Sequence, residues 1–208
     1  MYGSWLDLVR LFGALLLAGV AVKWMDDVLD VDYDLCQGQR TLAARFGRAA
    51  LPYAMVVMAC AVALAEGPAL AAFLGAYAVG MFARPLERLP SHFPAWAESL
   101  IALCLCALMV GWRGALWSVS FMLAVDWLDD LVDRFRDAET GQWNAVIRFG
   151  LVEVLLTILG AMAVAIFSEV MWSLVGLIAL AVVTVVSEST TSRLVPEDRG
   201  EGPWSRLS

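Results

Sequence analysis

Ten aspartates fall in two short stretches of this 208-residue sequence: Asp26, Asp27, Asp30, Asp32 and Asp34, then Asp126, Asp129, Asp130, Asp133 and Asp137. On a helix turning about 100° per residue, Asp27, Asp30 and Asp34 share one narrow face, and Asp130, Asp133 and Asp137 repeat the pattern. Asp26 and Asp129 flank those faces, whereas Asp32 points the other way. Stacked carboxylates repel one another by about a few tenths of a kcal/mol per i,i+4 pair in water, and by more when desolvated. Lys23 is the only cation near the first stretch before Arg40. Such a ladder becomes reasonable when a hard divalent cation sits on it. Mg²⁺ takes oxygen ligands, binds through one or two carboxylates, and completes its shell with water and substrate phosphate. Two facing ladders with basic residues nearby make a diphosphate cradle, the metal bridging carboxylate to phosphate and Arg or Lys neutralising the rest.

The elements that carry these ladders are set by composition. Hydrophobic residues make up 61% of the chain and charged residues 17%, against roughly 45–50% and roughly 25% in a soluble domain. That excludes a soluble α/β enzyme, a nucleic-acid-binding protein and a disordered chain, and puts the protein in a bilayer. The net charge of −7 belongs to the two patches, since the chain without those ten aspartates stands at +3. Acidic patches of this kind repel nucleic acid and anionic lipid unless neutralised. The four cysteines (Cys36, Cys60, Cys104 and Cys106) form no CxxC pair, and His92 is the only histidine, so no zinc or disulfide framework is expected. Cys60, Cys104 and Cys106 read as small, buried apolar residues. The start, MYGSWLDLVR, lacks a basic n-region, and no cleavable signal is expected.

Apolar runs predict about seven membrane segments: Trp5–Met25, Ala49–Ala65, Pro68–Ala83, Trp96–Trp112, Gly114–Leu128, Phe149–Phe167 and Val170–Ser187. They must be helical, because an unpaired peptide group in lipid costs several kcal/mol. Several are short for a core roughly 30 Å thick, which suits tilted helices or first turns facing a cavity. Arg40, Arg45 and Arg48, then Arg84 and Arg88, then Arg134, Arg136 and Arg148 follow the first, third and fifth segments. The positive-inside rule therefore predicts that both aspartate stretches face the cytoplasm. Val195–Ser208, rich in Pro, Gly and charge, is expected to be a disordered tail, leaving residues 1–194 as one transmembrane domain.

An internal repeat is the strongest signal. A shift of 103 residues lays Lys23–Gly47 on Asp126–Gly150 without a gap, and ten of the 25 positions are identical. Four are the aspartate pairs Asp26/Asp129, Asp27/Asp130, Asp30/Asp133 and Asp34/Asp137; the others include Trp24/Trp127, Arg45/Arg148, Phe46/Phe149 and Gly47/Gly150. Drift toward hydrophobicity does not readily put four Asp, two Gly, a Gln and an Arg in register. The repeat units, about 5–90 and 108–193, are separated by an even number of segments, which predicts parallel repeats about an axis near the membrane normal and a central cavity between two Asp-rich helix ends.

The stretches DDVLDVDYD and DDLVDRFRD resemble the paired aspartate-rich motifs of the UbiA-type intramembrane prenyltransferases. QRTLAARFG resembles the family's segment following the second motif, and YAVGMFARPLERLP (Tyr77–Pro90) its basic loop between motifs. The likeness covers most of the chain, with seven segments corresponding to the second through eighth of the usual nine helices. Two positions depart from the pattern: Asp26 replaces the usual Asn, and Asn144-Ala145 stands where a Thr-Leu pair is usual.

The resemblance implies an all-α integral membrane protein, a UbiA-like bundle with a central cavity open to lipid. It implies a transferase of alkyl groups other than methyl: Mg²⁺-dependent transfer of a prenyl group from an isoprenoid diphosphate to an aromatic or other lipophilic acceptor, through an allylic cation. Asp27, Asp30, Asp130 and Asp133 would be catalytic, and these four with Asp26, Asp34, Asp129 and Asp137 would bind metal. Lys23, Arg40, Arg45, Arg84, Arg88 and Arg148 are diphosphate candidates, although arginines near a helix end also snorkel to the interface. Tyr53 and Tyr77 are cavity candidates. No nucleic-acid partner is expected. A terpene cyclase of the same architecture, and a divalent-cation transporter, are the competing readings; a transporter would carry its acids near the midplane.

Overall fold

The computed structural model describes residues 4–31, 39–82, 85–141 and 143–193. Asp34, Arg84 and the C-terminal tail, all singled out from the sequence, lie outside the described residues.

Among the described residues, seven helices have at least 15 residues: α1 (Trp5–Leu29), α3 (Ala50–Leu64), α4 (Glu66–Phe82), α5 (Ala95–Val110), α6 (Trp112–Thr140), α8 (Leu151–Ser168) and α9 (Val170–Thr190). Each overlaps one of the seven apolar segments, with ends that differ by up to a few residues, except that α6 continues past Leu128 to Thr140. Two five-residue helices, α2 (Leu42–Phe46) and α7 (Ala145–Phe149), follow the aspartate-bearing helices α1 and α6. The paired two-residue strands β1 (Gln39–Arg40) and β2 (Ser192–Arg193) join the loop after α1 to the segment after α9.

Among the described residues, four stretches are long and apolar enough to cross a membrane: Trp5–Leu29, Leu42–Leu64, Leu151–Ser168 and Val170–Thr190. These mark the chain as a membrane protein. Helix α5 is apolar but shorter, and α6 spends its last three turns on charge. The outer surface is correspondingly greasy: Leu108 on α5 is 83% exposed and Phe167 on α8 is 86% exposed, a large apolar exterior of the kind that faces lipid rather than water. Cys60 and Cys104 belong to that exterior and only Cys106 of the three is buried, which corrects the expectation of three core cysteines. An apolar residue in lipid has no reason to seek the interior.

Local chemistry fixes the helix ends. Ser4 and Asp7 form a capping box at the start of α1: the Asp7 amide donates to Ser4 Oγ (3.2 Å) and the Ser4 amide to Asp7 Oδ2 (3.3 Å). The short helices are matched at the 103-residue shift. Thr41 Oγ1 caps α2 by accepting from the Ala44 amide (3.3 Å), and Asn144 Oδ1 caps α7 by accepting from the Val146 amide (2.9 Å) and the Ile147 amide (3.3 Å). Gly47 and Gly150 end them with φ of 54° and 104°, a backbone that disfavours a side chain. Trp24 meets Phe46 at 5.5 Å and Trp127 meets Phe149 at 5.9 Å, so each acidic helix is fastened to its short helix by an equivalent aromatic pair.

Helix α1 packs on α3, α4 and α9, whereas α6 packs on α8, α4 and α5. The core between them is built from small residues, including Ala14, Ala18, Ala21, Ala61, Ala69 and Ala72, around Trp117 and Phe121. With lipid outside, helix association rests on close van der Waals approach and buried hydrogen bonds. Gly75 on α4 shows how close: a Cβ there would stand 2.6 Å from the Ser118 carbonyl oxygen of α6. The buried Trp117 indole donates to Ser173 Oγ (3.0 Å), tying α6 to α9.

Candidate functional site

Both acidic stretches sit at helix C-termini, where the macrodipole is negative and extra carboxylates are unfavourable. The last turns of α1 and α6 hold no basic residue. The compensation comes from elsewhere. Lys23 Nζ lies 3.1 Å from Asp27 Oδ1 and 3.4 Å from Asp26 Oδ2, and Asp27 is only 5% exposed. The Lys23 charge also reaches Asp129 on α6, and Asp26 acts on both Asp126 and Asp129. The acidic ends of α1 and α6 therefore lie at the same end of the bundle, close enough for each to feel the other's charge.

The second stretch is held differently. Asp130 Oδ2 accepts from the Ala145 amide at 2.9 Å, and Asp137, buried, accepts on Oδ2 from Asn144 Nδ2 at 2.8 Å. Asn144 Nδ2 also donates to the Asp130 carbonyl at 2.7 Å. Desolvation by the surrounding protein pushes the Asp130 carboxyl up to about 6, against the Ala145 hydrogen bond that lowers it, with Asp137, Asp129 and Asp133 adding to the rise. Asp129 is raised as well, first by desolvation, with Lys23 opposing. These are the marks of carboxylates drawn partly out of water, with like charges nearby adding to the rise.

The other sequence-derived candidates divide. Asp26, Asp30 and Asp129 are exposed and Asp133 half-buried. Arg45 on α2 and Arg148 on α7 are exposed at equivalent places. Arg40 lies in β1, and Arg88 forms a bridge with Pro94 in the loop between α4 and α5. Lys23, expected to face a diphosphate, is engaged by Asp26 and Asp27. Tyr77 donates its hydroxyl to the Glu98 carboxylate, which Ser91 also binds. Tyr53 is half exposed and stands edge-on to Phe46 at 5.5 Å. A pocket beside the first stretch is lined by Val20, Lys23, Trp24 and Asp27 of α1, Leu42 of α2 and four residues of α9 between Val183 and Thr190. Asn144 escaped the sequence reading as a site residue; its signal was a strong capping type aligned with Thr41.

Among the described residues no three His, Cys, Asp or Glu side chains stand together as a metal cage. The donor set nevertheless fits a hard cation in kind. It is all carboxylate oxygen, carried on two helices at one end of the bundle, and Mg²⁺ uses one or two carboxylates with water and phosphate rather than an all-protein cage. Comparison with protein-family models, curated proteins and solved structures finds no match to this chain.

Proposed function

We propose that this membrane protein is a Mg²⁺-dependent prenyl transfer enzyme of the UbiA type, acting on an isoprenoid diphosphate at the shared acidic end of α1 and α6. The observation that carries the reading is that Lys23 and Asp26 on α1 lie within electrostatic reach of Asp129 on α6, between two motifs that repeat at 103 residues. The equivalent short helices, caps and aromatic pairs support a two-repeat architecture. So does the packing of α1 on α3 and α9, which the shift converts to the packing of α6 on α8 and α4.

Asp30 and Asp133, with Asp26 and Asp129 beside them, are the carboxylates that would hold Mg²⁺, being less enclosed than Asp27 and Asp137. When bound, the metal supplies positive charge to the diphosphate oxygens. Arg45 and Arg148, on the short helices behind the two ladders, offer guanidinium forks for the same oxygens. Charge held in place before the allylic C–O bond breaks stabilises the departing diphosphate, and apolar helix walls keep water from the cation. The Arg-rich loops put this end in the cytoplasm. Purified protein in nanodiscs with Mg²⁺ and labelled farnesyl or geranylgeranyl diphosphate should release diphosphate. A lipophilic product that needs an aromatic acceptor identifies transfer, and one formed without it identifies cyclisation. No release with any chain length, together with Mn²⁺ flux into liposomes, would instead establish a cation transporter.

A further inference from the structure

Asn144 is 2% exposed and uses every hydrogen-bonding position of its side-chain amide inside one loop. Its Nδ2 donates to the Asp130 carbonyl and the Asp137 carboxylate, seven residues apart on α6. Its Oδ1 accepts from the Val146 and Ile147 amides in the first turn of α7. The next residue, Ala145, gives its amide to the Asp130 carboxylate. Asp133 lies on the same face of α6 between these two attachment points. We infer that Asn144 is the positioning residue of the second aspartate ladder, clamping α6 at Asp130 and at Asp137 so that Asp133 is presented at a fixed height and angle. This deepens the ligand reading above and rests on it for the identity of what Asp133 meets.

The clamp needs an amide. Thr41, the aligned residue after the first ladder, also caps α2, but a hydroxyl has a single proton and cannot hold a carbonyl and a carboxylate while also accepting from the helix. A neutral donor to Asp137 also avoids adding a full charge to the crowded end of α6. Outer-shell partners of this kind fix ligand orientation, and losing them typically weakens metal binding about 10- to 100-fold.

The test uses the full chain in nanodiscs, comparing wild type with Asn144→Thr and Asn144→Asp. Both variants keep an acceptor that caps α7 and lose the two Nδ2 donations; Asn144→Asp also sets a like charge against Asp137. Hydrogen exchange over residues 130–141 should accelerate by at least about tenfold in both, while the α7 amides keep their protection. Mn²⁺ affinity, read by electron paramagnetic resonance, should fall about 10- to 100-fold, further for Asp than for Thr. Unchanged exchange over 130–141 in both variants overturns the inference, as does faster exchange confined to α7. Unchanged Mn²⁺ affinity in a chain that binds the ion overturns it too. Accelerated exchange in a protein that binds no Mn²⁺ at all supports the clamp and overturns the metal reading instead.

Discussion

Lys23 holds the buried carboxylate of Asp27 at 3.1 Å, one helical turn further along α1, and the residue aligned with Lys23 in the second repeat is Asp126. One ladder thus carries its own cation and the other carries a fifth acid at the same place. The asymmetry explains why Asp27 tolerates near-complete burial.

Lys23→Met should lower stability by on the order of 1–2 kcal/mol, allowing for the partly exposed ammonium, because it strands the Asp27 charge. Adding Asp27→Asn should recover most of the loss. Thermal unfolding in detergent checks both, and a double variant no better than the single one removes the pair from the account.

Asp30→Ala and Asp133→Ala should each abolish turnover and Mg²⁺-dependent diphosphate binding while the protein still inserts in membranes. The measurement is labelled diphosphate retention on purified protein with Mg²⁺ or EDTA. Full turnover in either variant removes that residue from the proposed site.

The close crossing of α4 and α6 should be intolerant of added volume. Gly75→Ala puts a methyl 2.6 Å from the Ser118 carbonyl oxygen, and overpacking of this kind costs about 1–3 kcal/mol. Gly80→Ala on the same helix, where a Cβ meets nothing within 4 Å, is the silent control. Equal melting temperatures for the two would deny the tight crossing.

The Asp130 carboxyl, at about 6 in the fold against an ordinary value of 3.8, binds its proton more tightly folded than unfolded. Its contribution therefore favours the fold below pH 4 and is lost as pH rises through about 6. In EDTA, raising the pH across that window should lower the melting temperature. The dependence should flatten in Asp130→Asn, and excess Mg²⁺ should restore stability at the upper end.

Much was legible before any coordinates. A hydrocarbon solvent forces every apolar run into a helix, so Pro68–Ala83 could be read almost to its ends in α4 (Glu66–Phe82). The gapless alignment of Lys23–Gly47 with Asp126–Gly150 also set in register the residues that the structure shows as two short helices, capped at Thr41 and Asn144 and ended at Gly47 and Gly150, but the alignment by itself did not say that they were helical. Periodicity within a helix states which residues share a face, and that needs no partner. Which charge meets which is a different question, answered by how closely helices approach and how loops return. The burial of Asp27 against Lys23, the reach of Lys23 to Asp129, the tie of Tyr77 to Glu98 and the grip of Asn144 on Asp130 and Asp137 all depend on that packing. Residues distant along the chain acquire hydrogen-bonding geometry only when small side chains such as Gly75 let the helices close.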